Sequence, residues 1–184
     1  MAAPAALTPD DLVARLALSG LHTVGFCNQL SQRTAQWLHE AALLEGFTSE
    51  EANTLGALMP RAEIPAGQAL IKEGDTGDWM LLLLDGSVDV TKTTETGVQT
   101  RLAVIQVGAA VGEMSMLDGS PRNATCTAIT PVECAILTRA TIANLIQNHP
   151  AIGAKLLVKL TQLLAQRLRN TSNQVVKLVQ AAGR

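Results

Sequence analysis

Regularly spaced glycines divide the middle of the chain into short runs of β-forming residues, and this pattern restricts the fold more than any other feature. The glycines lie at positions 67, 74, 77, 86, 97, 108, 112 and 119. The runs between them predict strands over residues 69–72, 79–84, 87–93, 98–107, 122–129 and 132–138, with hairpin turns at 75–78, 85–86 and 94–97. Short strands separated in this way are typical of a small antiparallel roll or barrel.

Helical patterns come before the roll. Apolar residues at helical spacing predict one helix over residues 8–20 and a second over residues 28–44. Thr48 and Glu51 have the spacing of a capping box, which predicts a third, short helix that ends before Pro60.

Helical patterns also follow the roll. A short helix is predicted up to about Asn148, and Pro150 suits the first turn of a final helix that runs to about Val179. The apolar stripe of that helix is close to a heptad seam, at Leu157, Leu160, Leu164, Leu168, Thr171, Val175 and Leu178. The stripe either covers the roll of its own chain alone or also pairs with a second copy, and its length favours a parallel homodimer.

The sequence therefore predicts an α+β fold: an antiparallel β-roll, jelly-roll-like in the manner of a double-stranded β-helix, flanked by helices and followed by a long C-terminal helix. Three segments are expected. Residues 1–46 form a helical extension, residues 47–148 form the roll, and residues 149–184 form a capping and dimerisation helix.

Charge is unevenly distributed along the chain. The formal net charge is −2, but the first 133 residues carry all sixteen acidic side chains and seven basic ones, whereas the last 51 carry seven basic side chains only. The overall field is not that of a protein built to hold nucleic acid, so we expect no nucleic-acid partner. The basic final helix either complements its own dipole or attracts an acidic partner.

Three widely spaced cysteines without a C-x-x-C motif argue against a disulfide framework and favour a reducing cytosol. We expect Cys126 and Cys134 to be small, inert core residues on strands. The first residues lack the basic start of a secretion signal, and the longest run of large aliphatic residues, Leu81 to Leu84, is far shorter than the ~20 residues of a membrane span. A cytoplasmic protein without membrane contact is expected.

Residues 112–125 carry the chemistry of an anion site. Gly112 allows close approach of a ligand to the backbone, and the free N–H groups at the start of a short helix from Glu113 face that ligand. A tight loop over residues 118–121 brings Arg122 back towards the same place, where its guanidinium can hold a phosphate. Glu113 repels a phosphate and needs a donor such as a ribose hydroxyl. These residues therefore predict a nucleotide whose sugar and phosphate are recognised together.

At these positions the chain resembles the cyclic nucleotide-binding domains of cAMP-dependent protein kinase regulatory subunits, cyclic-nucleotide-gated channels and the catabolite activator protein. The phosphate-binding cassette of that family has a Gly-Glu pair, a short helix and a Pro-Arg followed by two small residues. Here these are Gly112-Glu113 and Pro121-Arg122-Asn123-Ala124. The nine-residue step from Glu113 to Arg122 matches the kinase-subunit cassette, and the likeness covers roughly residues 45 to 170.

The resemblance implies a role for each cassette residue. Arg122 would bind the exocyclic oxygens of the cyclic phosphate, and Glu113 with the Gly112 backbone would bind the ribose 2′-hydroxyl. The amides of Asn123 and Ala124 would complete the phosphate cradle. The other expected ligand-binding residues of the cassette are Met114 and Pro121.

The resemblance also implies how the base is held. Leu168-x-x-Thr171-Ser172 on the final helix looks like the segment of the catabolite activator in which a Thr-Ser pair contacts adenine. Asn123 stands where kinase-type cAMP sites have alanine and where cGMP sites often have threonine, so the choice between cAMP and cGMP stays open. The implied molecule is a ligand, with no resident cofactor or metal.

Plainer interpretations exist for the same residues. Arg122 is alternatively a surface arginine paired with Asp118 or Glu113. Glu113 is alternatively an acid favoured in the first turn of a helix, and Thr171 and Ser172 are alternatively solvated positions of the final helix.

The function predicted is a cyclic nucleotide-sensing regulatory module, with cAMP as the first candidate ligand and without catalytic or DNA-binding domain. A cupin-type enzyme is disfavoured because His22, His39 and His149 lie outside the roll. A promoter-binding regulator is disfavoured because the chain stops at Arg184, soon after the long helix. The alternative is a degenerate fold that serves as a dimerisation or interaction module and binds no nucleotide, or binds a cyclic dinucleotide. The N-terminal helices are the expected surface for an unidentified effector protein.

Overall fold

A computed structural model describes residues 13–14, 16–17, 20–34 and 43–182 of the chain. Its strands are β1 (Thr23–Phe26), β2 (Pro60–Ile64), β3 (Ala69–Ile71), β4 (Trp79–Asp85), β5 (Val88–Thr93), β6 (Gln99–Ile105), β7 (Ala110–Val111), β8 (Thr125–Ala128) and β9 (Val132–Thr138). Its helices are α1 (Leu30–Thr34), α2 (Ser49–Gly56), α3 (Glu113–Asp118), α4 (Arg139–Asn148) and α5 (Pro150–Ala182).

The strands form two antiparallel sheets, one in the order β1-β2-β9-β4-β7 and the other in the order β3-β8-β5-β6. This arrangement, with helices and a long C-terminal helix, confirms the predicted β-roll. Strand β4 is buried on both faces. Alternate side chains of a strand point to opposite sides of the sheet, so β4 contributes to two cores. Leu81 and Leu83 belong to the core between the sheets, whereas Met80 and Leu82 belong to the core under the helices.

The first third of the chain contains a strand that the sequence analysis did not predict. Strand β1 lies there and pairs with β2, with Thr23 opposite Ala62. Strands β2 and β7 were also missing from the prediction, because they are short and depend on partners distant in the chain. Of the second predicted helix, α1 and a turn at residues 43–46 are seen, and residues 35–42 lie outside the described residues. The first predicted helix lies largely outside them too, although residues 13–14 and 16–17 are helical.

Two of the three predicted hairpin turns are wrong. Strands β4 and β5 lie in different sheets, and so do β3 and β4, so the turns at residues 85–86 and 75–78 carry the chain from one sheet to the other. The turn at residues 94–97 is a true hairpin: the Thr94 N–H donates to the Val98 carbonyl over 2.9 Å, and β5 pairs with β6. Glycine and aspartate favour tight reversals in both settings, so turn chemistry alone does not distinguish them.

The helix starts follow the sequence signals. Thr48 and Glu51 form the predicted capping box, in which the Thr48 N–H donates to the Glu51 carboxylate over 2.8 Å and the Glu51 N–H donates to the Thr48 hydroxyl over 3.2 Å. Helix α5 begins at Pro150 as predicted. No helix among the described ranges has a stretch long and apolar enough to cross a bilayer.

Helix α5 is covered along its first half only. Leu156 and Leu160 are fully buried against the roll and its flanking helices. Leu168 and Leu178, further along the predicted seam, are 69% and 70% exposed. The roll of one chain therefore does not cover the whole stripe.

The three cysteine thiols are free and buried, and burial raises the pKa of Cys27 and Cys126 to about 11 and that of Cys134 to about 12. The neutral thiols thus contribute stability that is complete below pH 9, the ordinary pKa, and is lost as the pH rises towards these values. We expect the melting temperature to fall more steeply above pH 9 in the wild type than in Cys126→Ala. We also expect slow iodoacetamide labelling at neutral pH until guanidinium chloride unfolds the chain. Rapid labelling of the folded protein would contradict this.

Candidate functional site

Gly112 begins the short cassette helix α3 and has a left-handed backbone, with φ +87°. A Cβ atom at this position would lie 2.7 Å from Nη1 of Arg122 and 3.0 Å from Cδ1 of Ile71. Any other residue is therefore strained here, since L side chains rarely adopt this conformation, and its Cβ requires the guanidinium to shift. The close approach that the sequence predicted at Gly112 is made by the protein's own arginine.

Arg122 is buried, with 4% of its surface exposed. Its guanidinium donates to two backbone carbonyls over 2.8 Å, Nη1 to Gly112 and Nη2 to Trp79, and lies 4.2 Å above the Trp79 ring. The alternative interpretation of a surface arginine is therefore wrong. Burial lowers the pKa of Arg122 below its ordinary value, yet a guanidinium remains charged at neutral pH. The protein thus holds a positive charge in a pocket, and no carboxylate of the described residues forms an ion pair with it.

A groove of about 420 Å³ lies beside this arginine. It is lined by Arg122, Trp79, residues of β3, the turn residues Asp75 and Thr76, and Gly20 from the N-terminal segment. Its volume is within the range of small-molecule sites, roughly 300–1,000 Å³. The arginine therefore borders a space large enough for a nucleotide-sized ligand.

Glu113, the first residue of α3, is completely buried. Its Oε1 pairs with Nη1 of Arg167 on α5, and Nη2 of Arg167 donates to the Ala110 carbonyl. The second carboxylate oxygen, Oε2, is buried and has no hydrogen-bond partner in the part of the chain that the structure describes. Glu113 thus connects the cassette to the final helix through Oε1, and its Oε2 is the oxygen that could accept a hydrogen bond from a ligand.

Sequence reasoning missed Arg167. The sequence signal was weak. Arg167 is one of several basic residues on the final helix, one turn before the Thr-Ser pair, and its neighbours in the chain do not point to Glu113. Glu113 and Arg167 are 54 residues apart in the chain, so only the packing of α5 shows that they meet.

The remaining cassette residues lie at the surface. Asn123 is exposed, and both its backbone carbonyl and its side-chain oxygen accept hydrogen bonds from Lys92. Ala124 is half-buried, Met114 is half-exposed, and Pro121 is exposed while its carbonyl accepts from the Ser115 hydroxyl over 3.3 Å. Their contacts to a ligand stay predictions.

Thr171 and Ser172 are exposed on α5, one turn beyond Arg167. Among the described residues, the ion pair of α5 with the cassette is that between Arg167 and Glu113. The exposure of the pair agrees with the alternative of solvated helix positions, and a contact to a base stays a prediction.

Comparisons with known proteins identify the family of this domain. The model of the cyclic nucleotide-binding domain family matches residues 61–149. A cyclic nucleotide-binding domain from Methylobacillus flagellatus, known from a crystal structure, is 34% identical in sequence and superposes with a TM-score of 0.76. The match includes 85% of this chain and 88% of that domain. The chain belongs to the cyclic nucleotide-binding domain family.

Two curated relatives are longer regulators. The CRP-like cAMP-activated global transcriptional regulator of Mycobacterium tuberculosis is 27% identical over 77% of this chain, and the cAMP-dependent protein kinase regulatory subunit of Yarrowia lipolytica is 36% identical over 55% of it. The match spans 62% of the first protein and 26% of the second. The chain therefore corresponds to part of each.

Replacing Arg167 with alanine is expected to loosen α5, because the buried carboxylate of Glu113 then loses its charge partner. The Arg167 side chain is 35% exposed, so solvent screening limits the expected loss to about 1–2 kcal/mol of folding free energy. Hydrogen exchange along the second half of α5 should accelerate. Arg169→Ala is the matched control, since within the described ranges the hydrogen bond of the Arg169 side chain is to Gln166, on an exposed face. Equal melting and exchange in the two variants would show that the Glu113 contact does not hold the helix.

Proposed function

We propose that the chain is a cyclic nucleotide-sensing regulatory module, that its ligand is cAMP, and that it is not an enzyme. Membership of the family supports a cyclic nucleotide as ligand. The two curated relatives support cAMP, because one is named as cAMP-activated and the other as a regulatory subunit of a cAMP-dependent kinase. The described residues contain no group of histidines, cysteines and carboxylates suited to a metal ion.

One observation carries the sensing role: the ion pair between Glu113 of the cassette and Arg167 of α5. In the proposed complex the Arg122 guanidinium binds the cyclic phosphate, and Oε2 of Glu113 accepts from the ribose 2′-hydroxyl. Oε1 remains with Arg167, so the ligand and the final helix share one carboxylate. The ligand shifts the position of α5 only to the extent that it binds one arrangement of this carboxylate better than the other.

Calorimetric titration with cAMP, cGMP and a cyclic dinucleotide tests the proposal. The fluorescence of Trp79 offers a second readout. The Arg122 guanidinium stacks on its ring, so the emission should change when a phosphate binds to Arg122. The substitution Trp37→Phe removes the other tryptophan of the chain. Heat and an emission change with cAMP are expected. Neither heat nor a thermal shift with any of the three at millimolar concentration would overturn the proposal and favour an interaction module.

We also propose that two copies pair through the exposed half of α5. Leu168, Val175 and Leu178 lie on one side of the helix and are 69%, 53% and 70% exposed. Sedimentation should show a dimer that Leu168→Glu converts to a monomer. Asn173→Glu, on the opposite side of the same helix, is the matched control. A monomeric wild type, or a Leu168→Glu variant that remains a dimer, would contradict this arrangement.

A further inference from the structure

Lys92 on β5 is bound to the residue that follows the site arginine. Its Nζ donates to the Asn123 backbone carbonyl over 2.8 Å and to the Asn123 side-chain oxygen over 2.7 Å. A third neighbour, Oε1 of Glu73, lies 3.7 Å away. An ammonium group has three donors and no acceptor. Two hydrogen bonds go to Asn123, and the Glu73 carboxylate lies at ion-pair distance.

Glu73 is itself fixed in place. Its Oε2 accepts from the Thr93 N–H over 2.9 Å, and its own N–H donates to the Thr125 hydroxyl over 3.0 Å. The Thr93 hydrogen bond, with a smaller contribution from Lys92, holds the pKa of Glu73 below its ordinary value, so the carboxylate is charged at neutral pH. The Lys92 ammonium therefore lies between the fixed carboxylate of Glu73 and the oxygens of Asn123.

This arrangement decides which end of the Asn123 amide faces a ligand. Because Lys92 only donates, it holds the amide oxygen of Asn123, and the amide NH₂ is the group that remains for a ligand. Asn123 is exposed and directly follows Arg122 in the chain. Without Lys92 the amide is free to rotate and to offer either its oxygen or its nitrogen.

We propose that Lys92 is a positioning residue that fixes Asn123 as a hydrogen-bond donor, so that the site favours a ligand with an acceptor atom at this place. The inference rests on the proposed function and adds a requirement to it. The acceptor belongs to the cyclic nucleotide itself, as a phosphate oxygen, a ring nitrogen or a base carbonyl. An amino group at the same place would meet another donor and be disfavoured.

A double-mutant cycle with the full chain tests this role, with cAMP as probe. Lys92→Met keeps the stem of the side chain and removes its donors, and it should weaken binding about fivefold, as expected for one hydrogen bond that is no longer held ready. Lys92→Arg retains donors and should bind nearly as well as the wild type. In an Asn123→Ala background Lys92→Met should have no further effect, because the amide through which it acts is gone. Asn123→Asp, which offers only acceptors, should bind more weakly than Asn123→Ala.

The outcomes separate this inference from the proposed function. Absence of cAMP binding by the wild type overturns both. Binding by the wild type with an unchanged Lys92→Met variant overturns the role of Lys92 alone. An equal loss from Lys92→Met with and without Asn123 would show that Lys92 acts by its charge and not through the amide. Melting curves of all variants should agree closely, since the contact between Lys92 and Asn123 lies at the surface.

Discussion

Arg122→Ala should weaken cyclic nucleotide binding by about 2–5 kcal/mol, the cost of removing one member of a desolvated charge pair. The physical reason is the burial of the guanidinium. Its hydrogen bonds to the carbonyls of Gly112 and Trp79 hold it in place before a ligand arrives, so little ordering is needed on binding. Calorimetric titration of the variant with cAMP gives the measurement.

Arg122→Lys is the matched variant, because it keeps the charge and loses the planar fork that contacts two carbonyls at once. We expect intermediate binding. Arg122→Ala also loses the cation–π contact with Trp79, which contributes roughly 0.5–2 kcal/mol of stability, and Arg122→Lys loses the planar stacking. A melting curve must therefore accompany each titration. A folded Arg122→Ala variant with unchanged affinity would exclude Arg122 as the phosphate ligand.

Gly112→Ala is expected to have the second large effect. The new Cβ would lie 2.7 Å from the Arg122 guanidinium, and the backbone at φ +87° is strained for any L side chain, at a cost of about 1–2 kcal/mol. The arginine is the more mobile partner and should be displaced, so binding should fall by at least tenfold while the roll still folds. Calorimetry and thermal melting measure the two effects.

Two further glycines separate the strain from the contact. Gly97 has φ +79° and nothing within 4 Å of an added Cβ, so Gly97→Ala carries the strain alone and should bind normally. Gly77 is not in the left-handed region, but its added Cβ would lie 2.5 Å from Nη2 of Arg122, so Gly77→Ala carries the contact alone and should lose affinity. Weaker binding by Gly97→Ala than by Gly77→Ala would contradict this explanation.

Much of the fold follows from local signals in the sequence. The capping box at Thr48 and Glu51, the start of α5 at Pro150 and the hairpin at residues 94–97 are formed as predicted, because each depends on residues within a few positions of one another. The short helix after Gly112 also follows from its own segment. These features need no information about the rest of the chain.

The core of the site could be read from the sequence in terms of residue types. A glycine, a glutamate and an arginine at the cassette spacing indicated an anion site with a sugar acceptor, and the structure brings all three together. The alternative that paired Arg122 with Asp118 or Glu113 was wrong, because the backbone carbonyls of Gly112 and Trp79 hold the guanidinium.

What the sequence determined by itself is thus the local conformation and the chemistry that each segment carries. The tertiary structure alone decided which segments meet: β1 joins β2, two apparent hairpins cross between sheets, and Arg167 reaches Glu113 from 54 residues away. The physical reason is that turns and caps are stabilised by neighbours in the chain, whereas strand pairing and buried charge pairs depend on how the whole core packs. Tertiary packing also decided how much of α5 is buried: Leu156 and Leu160 lie against the roll and its flanking helices, whereas Leu168 and Leu178 lie beyond them.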